Sequence, residues 1–249
     1  MPMISGKRVI AAMLTALMAV TFTANTAVSV YATGVTATEN AQTIDAQSTD
    51  AQALTPEEQK AQELQQVYDM PVESNGYKDW PQGPGTYGEA GIVMEVGTGA
   101  ILYAKNIDAH EYPASITKVL TALVALENGQ LTDNVTFSHD SVAFLQRGDS
   151  SVGLKEGNVI TLDQAMHAML LASANEAAYA IGESVGVNAG HDYNWFIEQM
   201  NSRCKELGGE NSNFANTNGL HDPNHYTCAR DMALIGRELF KHPEFFQIV

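Results

Sequence analysis

The sequence predicts an α/β fold of the α+β kind, in which a β-hairpin is followed by a cluster of helices. Two observations carry this. Two apolar runs, Ile92–Val96 and Ala100–Ala104, flank Gly97-Thr98-Gly99, which is the pattern of an antiparallel hairpin. Beyond them the apolar residues recur at helical spacing through most of the remaining chain. No segment repeats at a fixed period.

The elements follow in order from the N-terminus. Lys7 and Arg8 precede an apolar run from Val9 to Val20, and a small-residue stretch leads to Val30-Tyr31-Ala32. This is the pattern of a secretory signal over residues 1–32, its apolar core being short of the ~20 residues that span a bilayer. Cleavage after Ala32 would place the protein outside the membrane. Residues 33–84 read as a low-complexity spacer, rich in Ala, Thr, Gln and Asp at first. Within the spacer, Thr55-Pro56-Glu57-Glu58 is a capping box with proline at the first helical position, so a short helix is expected from there to about Tyr68. The Pro- and Gly-rich stretch from Trp80 to Gly85 then turns the chain into the folded region.

After the hairpin, Ile116, Val119, Leu120, Leu123 and Val124 share one face of a helix that Gly129 stops. Thr161 and Gln164 form a second capping box before the apolar segment Ala165–Ala172, which predicts an interior helix. Further helices are expected after Asn175, from about Asp192 to Leu207, and from Thr227 to about Phe240.

Charge excludes one class of function. Thirteen Lys and Arg face 29 Asp and Glu, a net charge of −16, which argues against a nucleic-acid partner. Removing Lys7 and Arg8 with the signal takes this to −18, most cheaply read as a solvated acidic surface.

Candidate chemistry lies in serine and lysine. A Ser-x-x-Lys pair on a helix puts the amine one turn from the hydroxyl, within reach of it. The chain has two, Ser115/Lys118 and Ser202/Lys205. Ser115 opens a helix, where backbone N–H groups and the dipole favour an oxyanion, and apolar neighbours would bury Lys118 and lower its pKa as a base requires. Ser202 lies among charged residues of an amphipathic helix and reads as surface. Ser173-Ala174-Asn175 interrupts an apolar stretch with a hydroxyl and an amide. Either residue would serve as a helix cap, or the turn faces Ser115 and Lys118, with Ser173 passing protons and Asn175 holding a substrate amide.

From Trp80 onward the sequence resembles the serine-type D-alanyl-D-alanine carboxypeptidases among the low-molecular-mass penicillin-binding proteins. The resemblance rests on Gly97–Tyr103, Pro113–Lys118, Val152–Gly157 leading into Ser173-Ala174-Asn175, Phe214–His221 and Ala229–Ala233, in the family's order. It implies a β-lactamase/transpeptidase-like fold, an antiparallel sheet with flanking helices and an all-helical subdomain, with residues 85–249 forming a partial catalytic domain. Ser115 would be the nucleophile, Lys118 its general base, Ser173 the proton relay and Asn175 the contact for the substrate backbone. The implied substrates are peptidoglycan stem peptides ending in D-Ala-D-Ala in a bacterial cell envelope, with β-lactams as inhibitors. No cofactor is implied.

One part of the family pattern is missing. None of the chain's lysines is followed by Thr-Gly or Ser-Gly, and the family's Lys-Thr-Gly motif falls farther downstream than the 74 residues after Asn175. The sequence is therefore expected to be truncated at its C-terminus, without the strands that would supply the carboxylate-binding cation and an oxyanion-hole donor. In intact relatives a membrane-associating region often follows, and any membrane association would run through that missing C-terminal region. Two rivals remain. A class A β-lactamase would carry Asp where Ala174 stands, and a non-catalytic binding protein would keep the fold without the third motif.

The remaining candidates have plainer readings. Cys204 and Cys228 fall on apolar helix faces, as free thiols or as a disulfide. His221 and His225 are separated by Pro223, which forbids a regular helix, so they are read as part of a loop near the cleft rim and no metal site is expected.

Overall fold

A computed structural model of the chain describes residues 54–249. The signal segment and the first part of the spacer lie outside the described residues. Helix α1 spans Pro56–Tyr68 with both halves of the expected capping box formed, the Thr55 hydroxyl accepting from the Glu58 backbone and the Glu58 carboxylate from the Thr55 backbone. It buries none of its residues. Its last turn is nevertheless held, because the wholly buried Lys105 side chain donates to the carbonyls of Val67 and Thr86, at 2.5 and 2.6 Å.

The hairpin forms between β1, Gly91–Met94, and β2, Ile101–Lys105, with Gly91 opposite Lys105 and Ile92 opposite Ala104. Its turn is tied by the Glu95 carboxylate, which accepts from the backbones of Gly97 and Thr98 and from the Thr98 hydroxyl. Residues 73–84 run along β2: the Ser74 hydroxyl accepts from Ala104 N at 3.2 Å, and Trp80 Nε1 donates to the Leu102 carbonyl at 2.8 Å. This occupies backbone groups that an edge strand would otherwise expose.

Helix α2, Thr117–Asn128, is the hub. It packs against four later helices: α4, Leu162–Leu171; α5, Asn175–Asn188; α6, Tyr193–Glu206; and α7, Ala229–Leu239. Consequently α2 is buried on more than the one face expected, from Leu120 through Ala125 without a break. Leu120, Leu123, Met166, Met169, Ile181, Phe196, Met200 and Ile235 form the centre of the core. The capping box at Thr161 and Gln164 forms as expected, and Asp192 caps α6.

Between α2 and α4 the structure adds elements the sequence pattern did not predict. Two three-residue strands, β3 at Asn134–Thr136 and β4 at Val159–Thr161, pair antiparallel, and the short helix α3 lies at His139–Ala143. A last short helix, α8, covers Phe245–Ile248. Among the described residues no helix is long and apolar enough to cross a membrane.

Candidate active site

Ser115 lies on a sharp turn between the hairpin and α2. The turn is a 3-10 segment, Ala114–Ile116, so the serine precedes the regular helix instead of standing in its first turn. Ala114 has φ +48°, a left-handed conformation that costs a residue with a Cβ about 1 kcal/mol or more. The strained turn leaves Ser115 exposed while Thr117 and Lys118 behind it are buried.

Lys118 is 3% exposed and its amine meets three acceptors. It donates to Ser115 Oγ at 3.1 Å, to Asn175 Oδ1 at 2.9 Å and to the backbone carbonyl of Asn218 at 2.7 Å. Burial pulls its pKa from 10.5 down to about 8, against the opposing pull of the Glu176 carboxylate. An amine this easily freed of its proton, 3.1 Å from a hydroxyl, can act as a base toward that hydroxyl.

Ser173 donates its hydroxyl to Ser115 Oγ at 2.9 Å. It sits in the break between α4 and α5, itself left-handed at φ +55°. The N-cap of α5 is Ala174, with no side-chain cap bond, so neither Ser173 nor Asn175 serves as the cap that a plainer reading allowed. The four residues singled out from sequence are thus brought together, Ser115, Lys118, Ser173 and Asn175 forming one hydrogen-bonded group. The second pair, Ser202 and Lys205, lies exposed on α6.

Three contributors escaped the sequence reading. Asn218 acts through its backbone carbonyl, a group every residue has. Glu176 is wholly buried beside Asn175, and its Oε1 accepts from the Ser151 hydroxyl at 2.7 Å and the backbones of Val152 and Gly153 at 2.8 and 3.2 Å. Its Oε2 has no partner among the described residues. With the bond from Asn175 N to the Ser150 carbonyl, it fastens the 150–153 loop beside the site. His225, expected at a cleft rim, is buried behind the Ala114–Ile116 turn at 1% exposure, its Nε2 2.8 Å from the Thr117 hydroxyl. His221 is the exposed member of the pair, edge-on to Tyr112.

An apolar groove of about 380 Å³ flanks the turn, lined by Tyr112, Pro113, Ile116, Cys228 and Met232 among others. Cys204 and Cys228 are both free thiols and both buried. No group of metal-ligating side chains occurs among the described residues.

Comparison with known proteins agrees with this geometry. A D-alanyl-D-alanine carboxypeptidase family model matches residues 81–249. The D-alanyl-D-alanine carboxypeptidase DacF of Bacillus subtilis is 33% identical over 159 residues, 62% of this chain and 39% of the relative. DacA of Haemophilus influenzae is 34% identical over 163 residues, 63% of this chain and 40% of the relative. The chain therefore spans about 40% of the length of these curated relatives. Among solved structures, penicillin binding protein 5 from Haemophilus influenzae superposes with a TM-score of 0.60 at 32% identity, covering 68% of this chain and 49% of that one. A DD-transpeptidase from Streptomyces gives 0.58 at 29% identity, covering 64% and 62%. The α/β, β-lactamase/transpeptidase-like fold expected from the sequence is the fold of these neighbours. The chain belongs to the D-alanyl-D-alanine carboxypeptidase family.

Proposed function

We propose that the chain is the catalytic portion of an exported bacterial serine-type carboxypeptidase that removes the terminal D-alanine from peptidoglycan stem peptides. The observation that supports this most directly is the placement of one amine, Lys118 Nζ, within hydrogen-bond distance of both Ser115 Oγ and Asn175 Oδ1, with a second hydroxyl, Ser173, on the same nucleophile.

In this reading, neutral Lys118 takes the proton of Ser115 as Oγ attacks the carbonyl between the two D-alanines. The C–O bond forms, the C–N bond breaks, and the proton reaches the departing amine through Ser173. Asn175 holds the substrate backbone through its amide. Water then hydrolyses the ester on Ser115, returning the free hydroxyl and a peptide one residue shorter. A β-lactam acylates Ser115 in the same way, but its leaving group stays tethered to the acyl chain, so the ester persists.

The test uses a fluorescent penicillin and a D-Ala-D-Ala-terminated peptide with the full-length protein that carries this chain. The parent should form a covalent adduct and release D-alanine, and Ser115→Ala should do neither. Undiminished labelling of Ser115→Ala sinks the assignment. Rapid turnover of the penicillin without D-alanine release favours a β-lactamase, and absence of both activities favours a non-catalytic binding role.

A further inference from the structure

We propose that His225 is a positioning residue for this site, a neutral strut that fixes the Ser115–Lys118 turn against the loop from Phe214 to Leu220. The inference rests on the acyl-transfer reading above, because what is positioned is the base of that reaction.

The ring spans two elements. On one side Nδ1 accepts from the backbone N–H of Ala215 at 3.0 Å. An N–H pointing at Nδ1 requires a lone pair there, so the neutral ring carries its proton on Nε2. That Nε2–H therefore donates to the Thr117 hydroxyl, 2.8 Å away. Burial keeps the ring neutral, with its pKa lowered from 6.5 to about 4.

Both ends of the strut lead to Lys118. Thr117 is the preceding residue, and the loop that starts at Ala215 delivers the Asn218 carbonyl to Lys118 Nζ at 2.7 Å. The loop has other fastenings. Thr121 Oγ1 donates to the Thr217 carbonyl at 2.7 Å, and the Thr217 N–H donates to Tyr193 OH at 3.2 Å. These hold the loop to α2 and α6 beyond Lys118, whereas His225 ties it to the residue directly before the lysine. His225 makes no hydrogen bond to Ser115 or Lys118; its bonds go to Thr117 and Ala215, so its effect on the reaction passes through Thr117 and the loop.

Loss of the strut has a consequence beyond lower stability. A loosened loop admits water to Lys118, and the burial that lowers its pKa weakens. The side chains facing this amine are those of Ser115, Asn175 and Glu176, and Glu176 carries the only charge among them. The acid limb of the acylation rate should therefore move to higher pH when His225 is removed. A residue with only a structural role would lower the melting temperature and leave that midpoint in place.

The experiment compares full-length parent, His225→Leu, His225→Gln and His225→Asn. A glutamine amide can replace the Nε2 donor toward Thr117, and an asparagine carbonyl can replace the Nδ1 acceptor toward Ala215. The second-order rate of acylation by a fluorescent penicillin is measured across pH, and amide hydrogen exchange is followed over residues 214–220. His225→Leu is expected to acylate more slowly by a factor on the order of a hundred, with its acid-limb midpoint raised and the loop exchanging faster. The Gln and Asn variants should each recover part of the rate. A parent that does not label at all overturns the functional reading itself, while exchange still reports whether the strut holds the loop. A labelling parent whose Leu variant keeps the parental midpoint and rate overturns the positioning role alone, as does unchanged loop protection in that variant.

Discussion

Gly219 presses against the carbonyl of Ala114 so closely that a Cβ built on it would overlap that oxygen. Gly219 also has φ +85°, so its backbone and its surroundings both exclude a side chain. The contact joins the turn that carries Ser115 to the loop that supplies the Asn218 carbonyl. Gly219→Ala is expected to push the two apart, costing about 2–3 kcal/mol of stability and slowing acylation of Ser115. Urea unfolding and penicillin labelling of the variant check this. A parental unfolding midpoint would show that the two segments are not in contact.

What the sequence disclosed and what it hid divide along physical lines. The hairpin, α4 and α6 were legible because their signals are local: alternation around a glycine turn, a capping box at Thr161 and Gln164, an Asp192 cap. The grouping of Ser115, Lys118, Ser173 and Asn175 was legible because residue type and short spacing single these four out, and the structure brings their side chains together. The strands β3 and β4 have three residues each, too few for a period to register, and they find one another across 22 intervening residues. The roles of Asn218, Glu176 and His225 were hidden for a different reason. Each acts through a partner distant in sequence, and one of them acts through its backbone.

If Lys118 is the base of the proposed reaction, its pKa sets the pH dependence of acylation. Below its pKa of about 8 the amine keeps its proton and cannot accept one from Ser115. Acylation should therefore rise with pH toward a plateau above that value, falling about tenfold for each unit below it. Lys118→Arg holds its charge at every accessible pH and should lose on the order of 10²–10⁴ in acylation rate with no acid limb left to measure. A parent profile flat from pH 6 to 9 would remove Lys118 from the role of base.

Glu176 opposes the effect of burial on that lysine, so its charge and its hydrogen bonds can be separated. Glu176→Gln keeps an oxygen to accept from Ser151, Val152 and Gly153 but removes the carboxylate field. The acid-limb midpoint should shift to lower pH. The amide nitrogen would replace the partnerless Oε2 in a buried position, at a cost of about 1–3 kcal/mol. Glu176→Ala should also release the 150–153 loop, seen as new proteolytic cleavage there. A midpoint that stays fixed in the Gln variant would rule out electrostatic coupling to Lys118.

The two cysteines should be unreactive. Burial pushes both thiols up to about 11, with the nearby Asp231 carboxylate adding to the effect, so little thiolate exists at neutral pH. Native protein at pH 7.5 should incorporate almost no iodoacetamide within minutes, and urea-unfolded protein should be alkylated at both positions. Fast alkylation of the folded chain at either site would contradict this burial.

His225 should also leave a mark on stability as pH falls. Its pKa is about 4 in the fold, against about 6.5 in an unfolded chain. Between these values the unfolded chain binds a proton that the folded chain refuses. Stability linked to this residue is therefore fully present above pH 6.5 and is lost as pH falls toward 4. The Asp222 carboxylate opposes the shift without cancelling it. Hydrogen-bonded carboxylates such as Glu95, Asp108 and Glu238, whose pKa values are lowered, also cost stability in acid, so the parent's curve alone cannot isolate the histidine. Comparison with His225→Gln removes them, because both proteins share those groups. The parent should be the more stable of the two at pH 7, and the gap in urea midpoint should narrow steadily down to pH 4. A gap of constant width would mean that the ring does not change its charge on unfolding, and the neutral strut behind Ser115 would have to be abandoned.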